Sequence, residues 1–129
     1  MKAKILDLDK PNANGRIYPK EVMENAIKKY KEDMIDKKRA LIGSELTGPE
    51  LNIEKAYGLV DDIYIEDDSV FIEFHPLQLP ICEILTPLVE SKKLHFATCG
   101  VVAKMENNIV GDDYELRYTF LTDDPSYDY

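Results

Sequence analysis

NANGRIYPKEV, residues 12–22, is the stretch on which the reading of this chain turns. Asn12, Asn14, Gly15 and Arg16 make a compact polar corner, and Ile17 and Tyr18 lead straight to Pro19. Asn and Gly tolerate left-handed backbone angles, so Asn14 and Gly15 allow the chain to reverse after a first strand. Pro19 suits the first turn of a helix, where its missing N–H is not needed. Val22, Met23, Ala26, Ile27, Tyr30 and Met34 then recur at helical spacing with Lys and Glu opposite. That pattern predicts a helix over about 19–36. Arg16 is read either as the partner of a carboxylate such as Glu45 or as a contact to another protein.

Working outward, residues 2–7 set Lys2, Lys4 and Asp7 against Ala3, Ile5 and Leu6, a first strand with one charged and one apolar face. Residues 40–42 read as a short buried strand. Residues 56–65 and 69–74 read as two strands joined at Glu66-Asp67-Asp68. Pro80 opens a second helix carrying Ile81, Ile84, Leu85, Leu88 and Val89, with Pro87 inside it as an expected kink. Residues 94–104 and 114–121 form the last strands, separated by a loop over 107–113. Six strands and two helices in this order predict an α+β fold, a small mostly antiparallel sheet or barrel with two helices. The expected organisation is one domain over residues 1–129, with no linker, repeat or low-complexity segment.

Composition narrows the function. With 16 Lys and Arg against 25 Asp and Glu the net charge is −9, which argues against nucleic-acid binding, where clustered basic residues must replace counterions. The acids are bunched at Asp61-Asp62, Glu66-Asp67-Asp68, Asp112-Asp113, Asp123-Asp124 and Asp128. They read as solvated turns or as a surface for a basic partner; Asp61, Asp62, Glu66, Asp67 and Asp68, from one hairpin, would form a single negative edge that Asp112 and Asp113 extend. No apolar run approaches the roughly 20 residues of a membrane helix, and the N-terminus lacks signal-peptide features. Cys82 and Cys99 do not make a disulfide framework and read as reduced core thiols. His75 and His95 lie too far apart for a zinc motif, the aspartates lack calcium-loop spacing, and no glycine loop cradles phosphate. The expectation is no metal and no cofactor.

The pieces nevertheless fall in a familiar order. Asn14-Gly15-Arg16-Ile17-Tyr18-Pro19 is followed by Ser44-Glu45-Leu46-Thr47-Gly48-Pro49 after the helix. Leu79-Pro80-Ile81-Cys82 comes after two strands, then Ala97-Thr98-Cys99-Gly100, and finally Phe120 to Ser126. This series resembles the prohead core (capsid maturation) proteases of tailed bacteriophages, which are similar in fold to the herpesvirus assemblins. In that family the corresponding motifs are Asn-Gly-Arg-x-Tyr-Pro, Gly-Glu-Leu-x-His-Pro, a Thr-Pro-led helix, Ser-Ser-Arg-Gly and Asp-(Ile/Leu)-Val-x-x-Pro-Ser. Asn14, Gly15, Arg16, Tyr18, Pro19, Glu45, Pro49 and Gly100 are the structural positions the resemblance retains.

The chemistry is not retained. A serine hydrolase needs an attacking hydroxyl, a histidine to take its proton and a group to orient the histidine. By resemblance the histidine falls on Gly48, the serine pair on Ala97 and Thr98, and the closing aspartate on Phe120. A rewired triad from His95, Thr98 and Cys99 fails on geometry. On a strand His95 and Cys99 share a face about 13 Å apart, and Thr98 points the other way. The resemblance therefore implies a pseudo-protease that acts by binding proteins, in or beside head assembly through a head or scaffold protein. Two alternatives stand beside it: an acidic inhibitor of a host enzyme or defence system, and an active, rewired serine- or threonine-type peptidase. The expected setting is the host cytoplasm, with virion association and self-association as further expectations.

Overall fold

The computed structural model describes residues 1–126; Asp128 of the acidic tail lies outside the described residues. In chain order the elements are β1 (Lys2–Asp7), α1 (Lys20–Tyr30), β2 (Leu41–Gly43), β3 (Ala56–Glu66) and β4 (Ser69–Pro76). They are followed by α2 (Pro80–Glu90), β5 (His95–Val101), β6 (Met105–Glu106), β7 (Ile109–Val110) and β8 (Glu115–Thr122). The six strands read from the sequence form one sheet in the order β1-β4-β3-β2-β8-β5. Every pairing is antiparallel except β2 with β8. The sheet curls into a half-barrel, so that Phe74 of β4 and Phe96 of β5 meet with ring centroids 4.8 Å apart. The α+β architecture is the expected one; the small β6–β7 hairpin is an addition, built where the sequence suggested only a loop.

α1 buries Met23, Ala26, Ile27 and Tyr30, the i, i+3, i+4, i+7 stripe that its sequence carries. Lys31–Ile35 continue it as a π-turn, closed by the Asp36 amide on the Lys31 carbonyl at 2.8 Å. α2 is anchored differently. Cys82 is its one fully buried residue, its thiol donating to the Tyr57 carbonyl at 3.1 Å. Ile81, Ile84 and Leu88 remain exposed.

The 12–19 corner is held by Asn12. Its Oδ1 accepts from the amides of Asn14 at 2.9 Å and Arg16 at 3.0 Å, and its backbone closes on Arg16 and Gly15. Of the corner residues, Gly15 alone takes a left-handed angle (φ +77°); Asn14 does not need one. Pro19 stands just before the helix in an extended conformation instead of in its first turn. Asp9 caps α1 from outside, accepting from the Lys20 amide at 2.9 Å. The expected Arg16–Glu45 ion pair is not formed: Glu45 pairs with Lys55 at 3.7 Å, and Arg16 reaches the Tyr18 hydroxyl at 3.5 Å.

β1 departs from simple alternation. A bulge between Lys4 and Leu6 shifts the register, so Ile5, Leu6 and Asp7 are all buried. Asp7, read from the sequence as a member of the charged face, is only 7% exposed. It accepts from Ser69 Oγ and pairs with Lys4, both at 2.8 Å, and Lys10 lies 3.4 Å away. Burial by itself would raise its pKa; the Lys4 ammonium and the Ser69 hydroxyl outweigh that and hold the carboxyl below its ordinary value.

Two outcomes follow from these contacts. Asn12→Ala, which frees two amides at the corner, should lower stability by about 1 kcal/mol in urea unfolding. A depressed carboxyl stabilises the fold above its unfolded pKa and loses that contribution as pH falls through the folded one. Urea midpoints should therefore drop on acidification below about pH 4. Asp7→Asn should be less stable at neutral pH and show a shallower acid limb in the same titration.

Candidate functional site

β5 and β8 set the geometry. Their register pairs Ala97 with Phe120, Thr98 with Thr119 and Cys99 with Tyr118, ahead of a bulge between Cys99 and Gly100. Because strand side chains alternate, Ala97, Cys99, Tyr118 and Phe120 share one face and Thr98 and Thr119 the other. Thr119 is fully buried, and Thr98 stands beside the buried Tyr114 hydroxyl without completing a hydrogen bond to it. Burial raises the Tyr114 pKa. Tyr114 also packs against Gly100, leaving no room for a Cβ there.

The loop between β2 and β3 closes over the first face. Ser44 ties its two ends, its amide and hydroxyl both donating to the Lys55 carbonyl at 2.6 and 2.8 Å. Within it, Thr47 Oγ1 donates to the Glu50 carbonyl and accepts from the Asn52 amide. Tyr118 is the clasp. Its hydroxyl donates to the Gly48 carbonyl at 2.6 Å and accepts from the Thr47 amide at 3.1 Å. The Cys99 thiol also points at the Gly48 carbonyl, 3.6 Å away. Gly48 itself has φ +95°, a conformation that glycine adopts freely and other residues rarely do.

The structure thus brings Gly48, Ala97 and Phe120 to one face and turns Thr98 to the other. Neither histidine joins them. His75 pairs with Asp61 across β3–β4 through Nδ1 at 2.8 Å. His95 is buried at the seam between β1 and β5. Cys99 is half-buried instead of a core thiol, and both cysteines are free. Among the described residues no group of three His, Cys, Asp or Glu side chains is placed to hold a metal ion. Among the described residues no helix is long and apolar enough to cross a membrane.

The fold of this chain has a solved counterpart. Its structure is similar to that of the bacteriophage T4 capsid assembly protease, gp21, with a TM-score of 0.81 at 19% identity, covering 92% of this chain and 76% of that one. No family model matches the chain, and no curated protein does.

The acidic hairpin does not form one unrelieved edge. Asp61 and Asp62 lie at a bulge in the middle of β3, away from the Asp67-Asp68 turn. Asp61 is bonded to His75, Asp62 lies 3.4 Å from Lys31, and Glu66 is 2.7 Å from Lys2. Asp67 and Asp68 remain at the tip, where Asp67 takes a left-handed angle (φ +54°) and the Asp68 carbonyl accepts from Leu8. Asp112 pairs loosely with Lys104 at 3.8 Å. Asp113 accepts from the amides of Ala103 at 2.8 Å and Lys104 at 3.1 Å, and those bonds, Ala103 foremost, hold its carboxyl below the ordinary value.

Tyr118 was not legible as a site residue, although its spacing of two from Phe120 places both on one face of a strand. Tyr118→Phe should release the Gly48 loop. The Thr47 amide, deprived of its acceptor, should exchange its hydrogen about 5–10-fold faster, as expected for the loss of about 1 kcal/mol, while core amides of β3 and β4 keep their protection in the same NMR exchange series.

Proposed function

We propose that this chain is a bacteriophage protein that keeps the capsid-protease fold without peptidase chemistry and works by binding proteins in or beside head assembly. The observation that carries this reading is the Gly48 clasp. At the position that the sequence resemblance gives to the general base stands a glycine in a left-handed conformation, its carbonyl held by Tyr118 at 2.6 Å. A proton acceptor must come within about 2.6–3.2 Å of the hydroxyl it activates. Thr98, the one hydroxyl left at the nucleophile stretch, lies on the opposite face beside Tyr114. Phe120 supplies no carboxylate. Likeness of fold to a capsid assembly protease supports a partner among phage head proteins. The setting that this reading implies is the host cytoplasm.

The purified chain should not cleave capsid-protein or peptide substrates and should not be labelled by fluorophosphonates. Tagged protein recovered from infected cells should bring down head or scaffold proteins. Turnover that disappears in Thr98→Ala would overturn the loss of chemistry. Recovery of a host enzyme in place of head proteins would move the binding role outside assembly.

A further inference from the structure

A groove of about 720 Å³ runs along the flank of the Gly48 clasp, between the end of α1, residues 49–53 and the start of β8. Tyr118 forms part of its wall, so groove and clasp share a side chain. Its apolar lining includes Met34, Leu51 and Ile53, and Ile53 is 76% exposed. Its rim is basic. Lys37, Lys38 and Arg39 follow one another at the turn that ends the helical segment.

The sign of this charge is unusual for the molecule. The chain carries −9 overall. The groove is lined by five cations, Lys29, Lys37, Lys38, Arg39 and Arg117, against the three acids Asp33, Glu50 and Glu115. Glu115 is already engaged by Lys29 at 3.5 Å and Arg117 at 3.4 Å. Lys37, Lys38 and Arg39 form no ion pair among the described residues, whereas the acids of β3 mostly do. Lys38 also sits at φ +55°, a left-handed position that glycine normally fills at a helix end. Basic residues there complement the helix dipole, but that effect fades within the last turn. It does not account for an exposed apolar floor beside three unpaired cations.

We infer that this groove holds an acidic, apolar-flanked peptide segment of a protein partner, its carboxylates on Lys37, Lys38 and Arg39 and its apolar side chains on Met34, Leu51 and Ile53. The inference rests on the protein-binding role proposed above, not on which protein the partner is. A peptide fits better than a nucleic acid. Asp33 and Glu50 in the wall repel a continuous line of phosphates but leave room for isolated carboxylates, and the net negative charge of the chain opposes a polyanion beyond the groove.

The test is selection of a random peptide library of about 12 residues, displayed on yeast, against the full chain. Enriched peptides should place Asp or Glu next to Leu, Ile or Phe. A synthetic enriched peptide, followed by fluorescence anisotropy, should bind at least about tenfold more weakly to the triple variant Lys37→Gln, Lys38→Gln, Arg39→Gln. Binding should weaken with added salt as well, since the rim is exposed. Ile53→Ser should weaken it several-fold, and Lys92→Gln with Lys93→Gln, outside the groove, should leave it unchanged. Far-UV circular dichroism verifies that each variant is folded. No enrichment, enrichment of peptides without acids, or equal binding by the triple variant would each overturn the proposal. So would displacement of the peptide by oligothymidylate. The wider reading fails separately. Head proteins captured equally by wild type and triple variant would sink this groove and leave the assembly role standing. Acidic peptides bound at the rim, with no head protein captured, would do the reverse.

Discussion

The Asn12 carboxamide oxygen satisfies two amides at once, and the corner it shapes is where distant parts of the chain are joined. Ala13 donates to the Ser126 carbonyl at 2.8 Å, bringing the end of the described chain back to its beginning. Ile17 donates to Asn108 and accepts from Val110, so the β6–β7 hairpin is pinned to the same few residues. Asp9 donates its amide to the Tyr18 carbonyl at 2.9 Å, and its carboxylate caps α1. The Tyr18 ring meets Tyr114 edge to face at a centroid distance of 5.6 Å, and Tyr114 in turn packs on Gly100. The amides of Asn14 and Arg16 lie at the surface, so the Asn12 side chain acts by fixing the shape of the turn through local side-chain-to-backbone bonds. Through Tyr18 and Tyr114 the corner is thereby in packing contact with Gly100 of β5, the strand whose ladder with β8 carries the face that Gly48 closes.

Much of this was legible in the sequence because it rests on local rules. The helical stripe of α1, the alternation and turns of β3 and β4, and the Pro-led start of α2 each depend on neighbours in sequence. Of the positions assigned by motif resemblance, Ala97 and Phe120 pair across β5 and β8, and Gly48 is bonded to Tyr118 on the same strand as Phe120. The misreadings share a different cause. Asp7 is buried because a bulge in β1 changes which way it points, and its partners include Ser69, 62 residues away. Arg16 and Glu45 each found another partner because the fold places them apart. The clasp by Tyr118 joins residues 70 apart in the chain, which no periodicity encodes.

Electrostatics sort the surface in a way composition hides. An excess of nine acids suggests a uniformly negative molecule. In the fold, Asp61, Asp62 and Glu66 are matched to His75, Lys31 and Lys2 along β3, and Asp113 is consumed in fastening the segment before β8 to Ala103 and Lys104. Exposed pairs of this kind contribute little stability individually. Lys31 and Lys2 hold positive charge beside Asp62 and Glu66 along the sheet, so that Lys37, Lys38 and Arg39, without an ion pair among the described residues, become a distinct local feature instead of part of a general background.

The backbone at Gly48 sets what a substitution there could do. Open space surrounds Gly48, and a Cβ there would touch nothing within 4 Å, so steric room is not the obstacle. The backbone is. At φ +95° a histidine would have to hold a strained conformation costing about 1–3 kcal/mol, or the loop would have to rotate. Rotation would pull the Gly48 carbonyl and the Thr47 amide from the Tyr118 hydroxyl, which is buried with its ring and would lose both partners together. A base placed there would still face Ala97 and Cys99, with the Thr98 hydroxyl turned inward beside Tyr114. The loop, the clasp and the strand face are therefore coupled, and a change at Gly48 is felt at Tyr118 and Cys99.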